Sequence, residues 1–163
     1  KQDYKKTVSS IKELGGGILL EMSHEIDLME SLFHPIEIIS SKVSNSGLLD
    51  IDVEDNATFI AKASNNINIK VNIDFCSTSL ERYIKIKGNN GEATWNISEG
   101  KFNMSNISNH KTEINLPVDP LVRLRNQLIH FIDCCKGHSL PIVSIKDGIK
   151  VLEHIKTIRS LNL

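Results

Sequence analysis

Apolar residues recur at three- and four-residue steps behind a run of glycines, where Ile18, Met22, Ile26, Met29 and Phe33 follow Gly15-Gly16-Gly17. This spacing gathers them on one stripe and predicts an amphipathic helix that proline stops at about His34-Pro35. From Ile36 to Leu116 the period changes to two. Ile67, Ile69, Val71, Ile73 and Phe75 alternate with Asn68, Lys70, Asn72 and Asp74, as in a strand with one wet face. Shorter strands fit Glu37–Val43, Ala57–Ala63, Arg82–Lys87, Glu92–Ile97, Lys101–Ser105 and Lys111–Leu116. Turn signals at Asn65-Asn66, Asn89-Asn90-Gly91 and Glu99-Gly100 join them into an antiparallel meander.

Two helices close the chain. Asp119-Pro120 caps one that carries Leu121, Leu124, Leu128 and Phe131 and ends at Lys136-Gly137. Ser144 and Asp147 form a capping-box variant for the other, whose buried side is marked by Ile145, Ile149, Leu152 and Ile155. The order helix, sheet, two helices predicts an α+β fold, a largely antiparallel open sheet with its helices packed on one face. The opposite face, with Phe59, Trp95 and several isoleucines contributing, is expected to finish in a homo-oligomeric interface.

At 163 residues and 40% hydrophobic, the chain suits one domain with a substantial core. Nineteen basic residues against twenty acidic ones, without a Lys/Arg run, argue against nucleic acid as a partner. No apolar run nears the length of a membrane span, and Lys1-Gln2-Asp3-Tyr4-Lys5-Lys6 is polar where a signal peptide would be apolar, so a soluble chain is expected. The start without Met suggests a fragment of a longer chain. Cys76 and the pair Cys134-Cys135 lack metal or disulfide spacing and suit a reducing, cytoplasmic compartment.

Candidate chemistry concentrates in the first helix. Glu21, His24 and Asp27 sit three residues apart on neighbouring turns, where they can converge on one pocket. An imidazole there can take a proton from a hydroxyl near neutral pH, and a carboxylate one turn away can hold its tautomer. Spacing alone is equally that of a surface helix with ordinary charge pairs. Gly15, Gly16 and Gly17 let backbone approach a ligand or simply form a flexible lead-in turn; they are not a GxGxxG loop. His34, His110, His130, His138 and His154 are scattered without ligand spacing, so no metal site is expected, and no covalent nucleophile signature is present.

The run from Glu13 through Gly15-Gly16-Gly17 and His24 to Asp27 resembles the opening of the C-terminal domain in the glucose–fructose oxidoreductase and inositol dehydrogenase (Gfo/Idh/MocA) family. Asp52-Val-Glu-Asp55, Arg82 to Gly88, Asn90-Gly91 with Trp95, and His130 to Pro141 with Asp147-Gly148 resemble later landmarks, in order, over nearly the whole chain. The resemblance implies that His24 is the general base. It also implies that Glu21 and Asp27 touch and orient substrate, that Tyr4, Lys5 and Lys12 lie where substrate is bound, and that Gly15, Gly16 and Gly17 lie near the cofactor. Leu20 stands where many members carry aspartate. NAD or NADP would be bound mainly by an N-terminal Rossmann domain that this chain does not include, leaving no tightly bound cofactor and no turnover in the fragment alone. The implied activity is oxidation or reduction at a hydroxyl of a sugar, sugar derivative or cyclitol, in carbohydrate metabolism or surface polysaccharide synthesis. The alternative is a non-catalytic sugar-binding or oligomerisation domain.

Overall fold

The computed structural model describes residues 4–79 and 81–162; Lys1, Gln2 and Asp3 of the polar opening lie outside them. The chain divides into two compact units, one from the residues up to Ser77 together with those from Ile142 on, the other Thr78–Pro141. Both are built on antiparallel hairpins, so the α+β class holds, with the strands in two open sheets.

In the first unit three short 3-10 turns, Tyr4–Lys6, Val8–Ser10 and Lys12–Leu14, precede α1 (Ile18–Glu21) and α2 (Ser23–Phe33). The expected single helix is therefore two, broken at Met22, whose ψ of 24° leaves the helical range. Strands β1 (Ile36–Ser44), β2 (Asn56–Ala63) and β3 (Ile67–Asp74) pair in chain order. Alternation places Ala57, Phe59, Ala61 and Ala63 of β2 and Ile73 of β3 on the covered face, beneath Ile18, Leu19, Ile26 and Met29. Phe59, expected on the open face, is 1% exposed and belongs to this core. Burying one such ring contributes roughly 2–3 kcal/mol.

The final helix α4 (Ile145–Ser160) opens with the capping box: Ser144 Oγ and amide both reach the Asp147 carboxylate, at 2.7 Å each. Its inward side is Val151, Ile155 and Ile158, whereas Ile145, Ile149 and Leu152 are exposed, so the predicted stripe is turned away from the core except at Ile155. The C-terminal end explains the choice. Ser41 Oγ of β1 donates to the Ile158 carbonyl at 2.6 Å, and the Asn162 side chain brackets the Val43 backbone, accepting from its amide and donating to its carbonyl.

The second unit holds β4 (Tyr83–Gly88), β5 (Gly91–Asn96), β6 (Lys101–Asn106) and β7 (Lys111–Asn115), paired in that order, and α3 (Pro120–Cys135). Asp119 caps α3 as expected, accepting the Leu121 amide at 2.9 Å, but none of the helix's residues is buried.

Candidate active site

The glycine run is a packing device before it is anything else. The amides of Gly15, Gly16 and Gly17 donate to the carbonyls of Lys12, Ile11 and Ser9, and that of Ile18 to Glu54, all at 2.9–3.0 Å. The run thus presents no free N–H groups of the kind that cradle an anion. A Cβ on Gly16 would stand 2.5 Å from the Val8 carbonyl oxygen, and one on Gly17 2.6 Å from the Glu54 carboxyl. Gly17 also has φ +119°, a conformation that residues with a Cβ rarely adopt. Glu54 is fixed over it by Arg159, whose guanidinium lies 2.5 Å from Oε1. Gly17→Ala is therefore expected to cost roughly 1–3 kcal/mol of stability, read as a lower urea midpoint. Gly15→Ala, with open space around the added methyl, should cost only the backbone strain of its own positive φ. Equal losses from the two would refute the crowding by Glu54.

Because the helix breaks at Met22, Glu21 ends α1 while His24 and Asp27 begin α2. Glu21 Oε2 accepts from Ser9 Oγ at 2.8 Å, which ties α1 back to the second 3-10 turn. His24 is half exposed, and its Nε2 lies 3.2 Å from Oε1 of Glu25, whose side chain is only 15% exposed. Asp27 is half-buried one turn further on. The carboxylate against the imidazole is thus Glu25, where spacing pointed to Glu21 and Asp27. Neighbours in sequence diverge by about 100° on a helix, so no periodicity argument finds this pair.

Tyr4, Lys5 and Lys12 are held together by one loop. Tyr4 donates its hydroxyl to the Leu49 carbonyl at 2.6 Å, Lys5 Nζ pairs with Asp50 at 2.7 Å, and the Lys12 amide donates to Asp52 Oδ1 at 2.9 Å. Lys5 holds the Asp50 carboxyl below the usual carboxylate range. The loop hangs on Asp55, which is fully buried and accepts from the Ser46 amide at 2.8 Å, the Ser46 hydroxyl at 2.5 Å and Cys76 Sγ at 3.5 Å. Burial pushes the Asp55 carboxyl up, and the hydrogen bonds from Ser46 and Cys76 more than offset it. Its signal was present in the sequence: Val53, Asp55, Ala57 and Phe59 continue one buried alternation, with an acid where an apolar residue belongs. A hollow of about 320 Å³ opens between this loop and the 3-10 turns, lined by Tyr4, Ser9, Ser10, Leu49, Ile51 and Phe75. Ser9 links it to Glu21.

Among the described residues, no group of three or more His, Cys, Asp or Glu side chains is arranged to hold a metal ion. No described helix is long and apolar enough to cross a membrane.

Residues 3–160 match the Gfo/Idh/MocA model, "Oxidoreductase family, C-terminal alpha/beta domain", and the chain belongs to that family. No curated protein matches it by sequence. Among solved structures it is similar to KijD10, a 3-ketoreductase from Actinomadura kijaniata in complex with NADP and TDP-benzene. That likeness has a TM-score of 0.82 at 12% identity, over 98% of this chain and 50% of that one. It also resembles the UDP-N-acetylglucosamine 3-dehydrogenase GnnA from Acidithiobacillus ferrooxidans, with TM-score 0.72 and 15% identity over 89% and 46%. An NAD-binding protein from Listeria innocua gives 0.69 and 20% identity over 99% and 48%. At these identities the likeness is one of fold, and the chain spans about half the length of each neighbour.

Proposed function

We propose that this chain is the substrate-binding and base-carrying half of an NAD(P)-dependent oxidoreductase that acts on a hydroxyl of a sugar, sugar derivative or cyclitol. The carrying observation is His24, exposed on the first turn of α2 with a carboxylate at 3.2 Å, inside a domain of an oxidoreductase family. Imidazole so placed takes the proton of a carbinol hydroxyl. A nicotinamide supplies hydride acceptance when bound. Its phosphates are held elsewhere in the complete protein, since the amides of Gly15 to Ile18 are satisfied within this chain. These glycines serve close packing beside the cofactor, and Tyr4, Lys5 and Lys12 line the approach with Glu21 and Asp27.

The neighbours named for a 3-ketoreductase and a UDP-N-acetylglucosamine 3-dehydrogenase favour a sugar, and a nucleotide-linked one in particular, for use in carbohydrate or surface-polysaccharide metabolism. The same reading makes the whole chain one substrate-binding and oligomerisation domain of a cytoplasmic protein, its three free cysteines suiting a reducing compartment and its open sheet face meeting another copy. The test is ligand placement. Crystals of the complete protein with NADP and a UDP-sugar should show a sugar hydroxyl within hydrogen-bond reach of the His24 ring. A sugar bound away from α2 would overturn the proposal.

A further inference from the structure

The hollow of about 320 Å³ between the 3-10 turns and the loop that hangs on Asp55 has walls tied in place. Tyr4 donates to the Leu49 carbonyl at 2.6 Å, and Asn45 Nδ2 donates to the carbonyls of Ile51 and Val53 at 2.7 Å each. Phe75 packs against the core of its unit, its amide donating to the Asp55 carbonyl at 2.8 Å. The space is thus preformed, as ligand pockets usually are. Its lining has no hydroxyl proton to offer. Each hydroxyl carries one, and here Ser9 donates to Glu21, Thr7 to the Tyr4 carbonyl, Ser10 to the Tyr4 and Thr7 carbonyls, and Tyr4 to Leu49. A group that needs to accept hydrogen bonds would leave those it makes with water and gain none from these side chains, which is unfavourable. An alkyl group loses nothing by entering and gains dispersion contact with Leu49, Ile51, Phe75 and the Tyr4 ring. Size narrows the choice further. An apolar cavity of roughly 150 Å³ accommodates a benzene ring, so the hollow has room for a chain of several carbons, and a single methyl would leave it mostly empty.

We infer that this hollow is a specificity pocket that takes the alkyl end of a short acyl chain carried on an amino group of the sugar. This rests on the chain acting on a sugar. An acylated nitrogen is neutral, whereas a free amino group would bring an ammonium against apolar walls. The amide itself stays at the mouth, in water. Ser9 borders the hollow and donates to Glu21, the last residue of α1, so the pocket is joined to the helix pair that carries His24.

The experiment titrates the complete protein, with NADP present, with UDP-glucosamine and its N-acetyl, N-propanoyl and N-butanoyl derivatives, and reads Kd by calorimetry. Affinity should rise along the acyl series by about fourfold for each carbon added. Ile51→Trp, which fills the hollow, should flatten the series while leaving Kd for the free amine near that of the parent. Equal Kd values across the parent's series, an unchanged slope in Ile51→Trp, or no saturable binding of the butanoyl compound overturns the pocket. If Ile51→Trp fails to fold, Ile51→Ala decides: it should weaken the butanoyl compound more than the free amine, and equal losses overturn the assignment. His24→Asn separates this inference from the reading beneath it. A sloped series with normal turnover by His24→Asn removes the base and keeps the pocket, and a flat series with inactive His24→Asn does the reverse.

Discussion

Replacing His24 by asparagine in the complete protein is expected to lower kcat for sugar oxidation by about 10²–10⁴-fold, the contribution typical of a positioned general base. Asparagine can still hydrogen-bond a sugar hydroxyl, so KM should change far less than kcat. That split marks an interaction made in the transition state. It corresponds to roughly 3–5 kcal/mol of lost transition-state stabilisation. Stability should scarcely change, because the His24 side chain is 52% exposed and the core of its unit is formed by Ile18, Leu19, Ile26 and Met29 beside it. Steady-state rates at saturating cofactor, measured with the melting temperature, decide the matter. A kcat within a few-fold of the parent would remove His24 from the chemistry and leave it a binding residue.

Much of the architecture around this residue was legible from periodicity, and the failures have a common physical origin. The strands β1 to β7 fall where alternation and turn residues put them, and in β1 and β2 a one-residue slip would turn the buried apolar side chains to water. Alternation is local, however, and both sheets are made of the same consecutive hairpins, so nothing in the pattern divided β1 to β3 from β4 to β7. Apolar spacing likewise ran straight through Met22, since Ile18, Met22 and Ile26 keep helical intervals across a break confined to one residue's ψ. In α4 two apolar stripes compete, and the inward one is selected by distant groups, Ser41 on β1 and Asn162 beyond the helix. The site shows the same division. His24 stood out by residue type. Its partner did not, because the geometry that joins Nε2 to Glu25 depends on side-chain torsions within one turn and not on any spacing rule.

Glu30 carries no motif or spacing signal, yet it lies four residues after Ile26 and shares the buried side of α2 with Met29, which is the position of a core residue. Its carboxylate joins α2 to α4 through Lys150 and His154 Nε2, the latter at 3.0 Å, and lies 2.5 Å from His34 Nδ1, which Lys150 Nζ also approaches at 2.9 Å. Burial alone would push this carboxyl up. Hydrogen bonds from Lys150, His34 and His154 outweigh it and hold the group at about 2, against an ordinary 4.5. The difference corresponds to about 3 kcal/mol of stability from one ionised group. Because the unfolded chain takes up the proton first, that stability is complete above pH 4.5 and is lost as pH falls through the folded value near 2. Glu30→Gln should therefore lower the unfolding free energy at pH 7 by roughly 3 kcal/mol, since it leaves the ammonium of Lys150 and the His154 ring against a neutral amide. Urea titrations of both proteins at pH 7, 5 and 3 check the sign as well as the size. The gap between parent and variant should be similar at pH 7 and 5 and clearly smaller at pH 3, where the unfolded parent chain has taken up the proton that its folded form still resists. A gap that is constant down to pH 3 would mean that the ionised carboxylate does not hold α2 to α4, and that the loss in Glu30→Gln comes from packing alone.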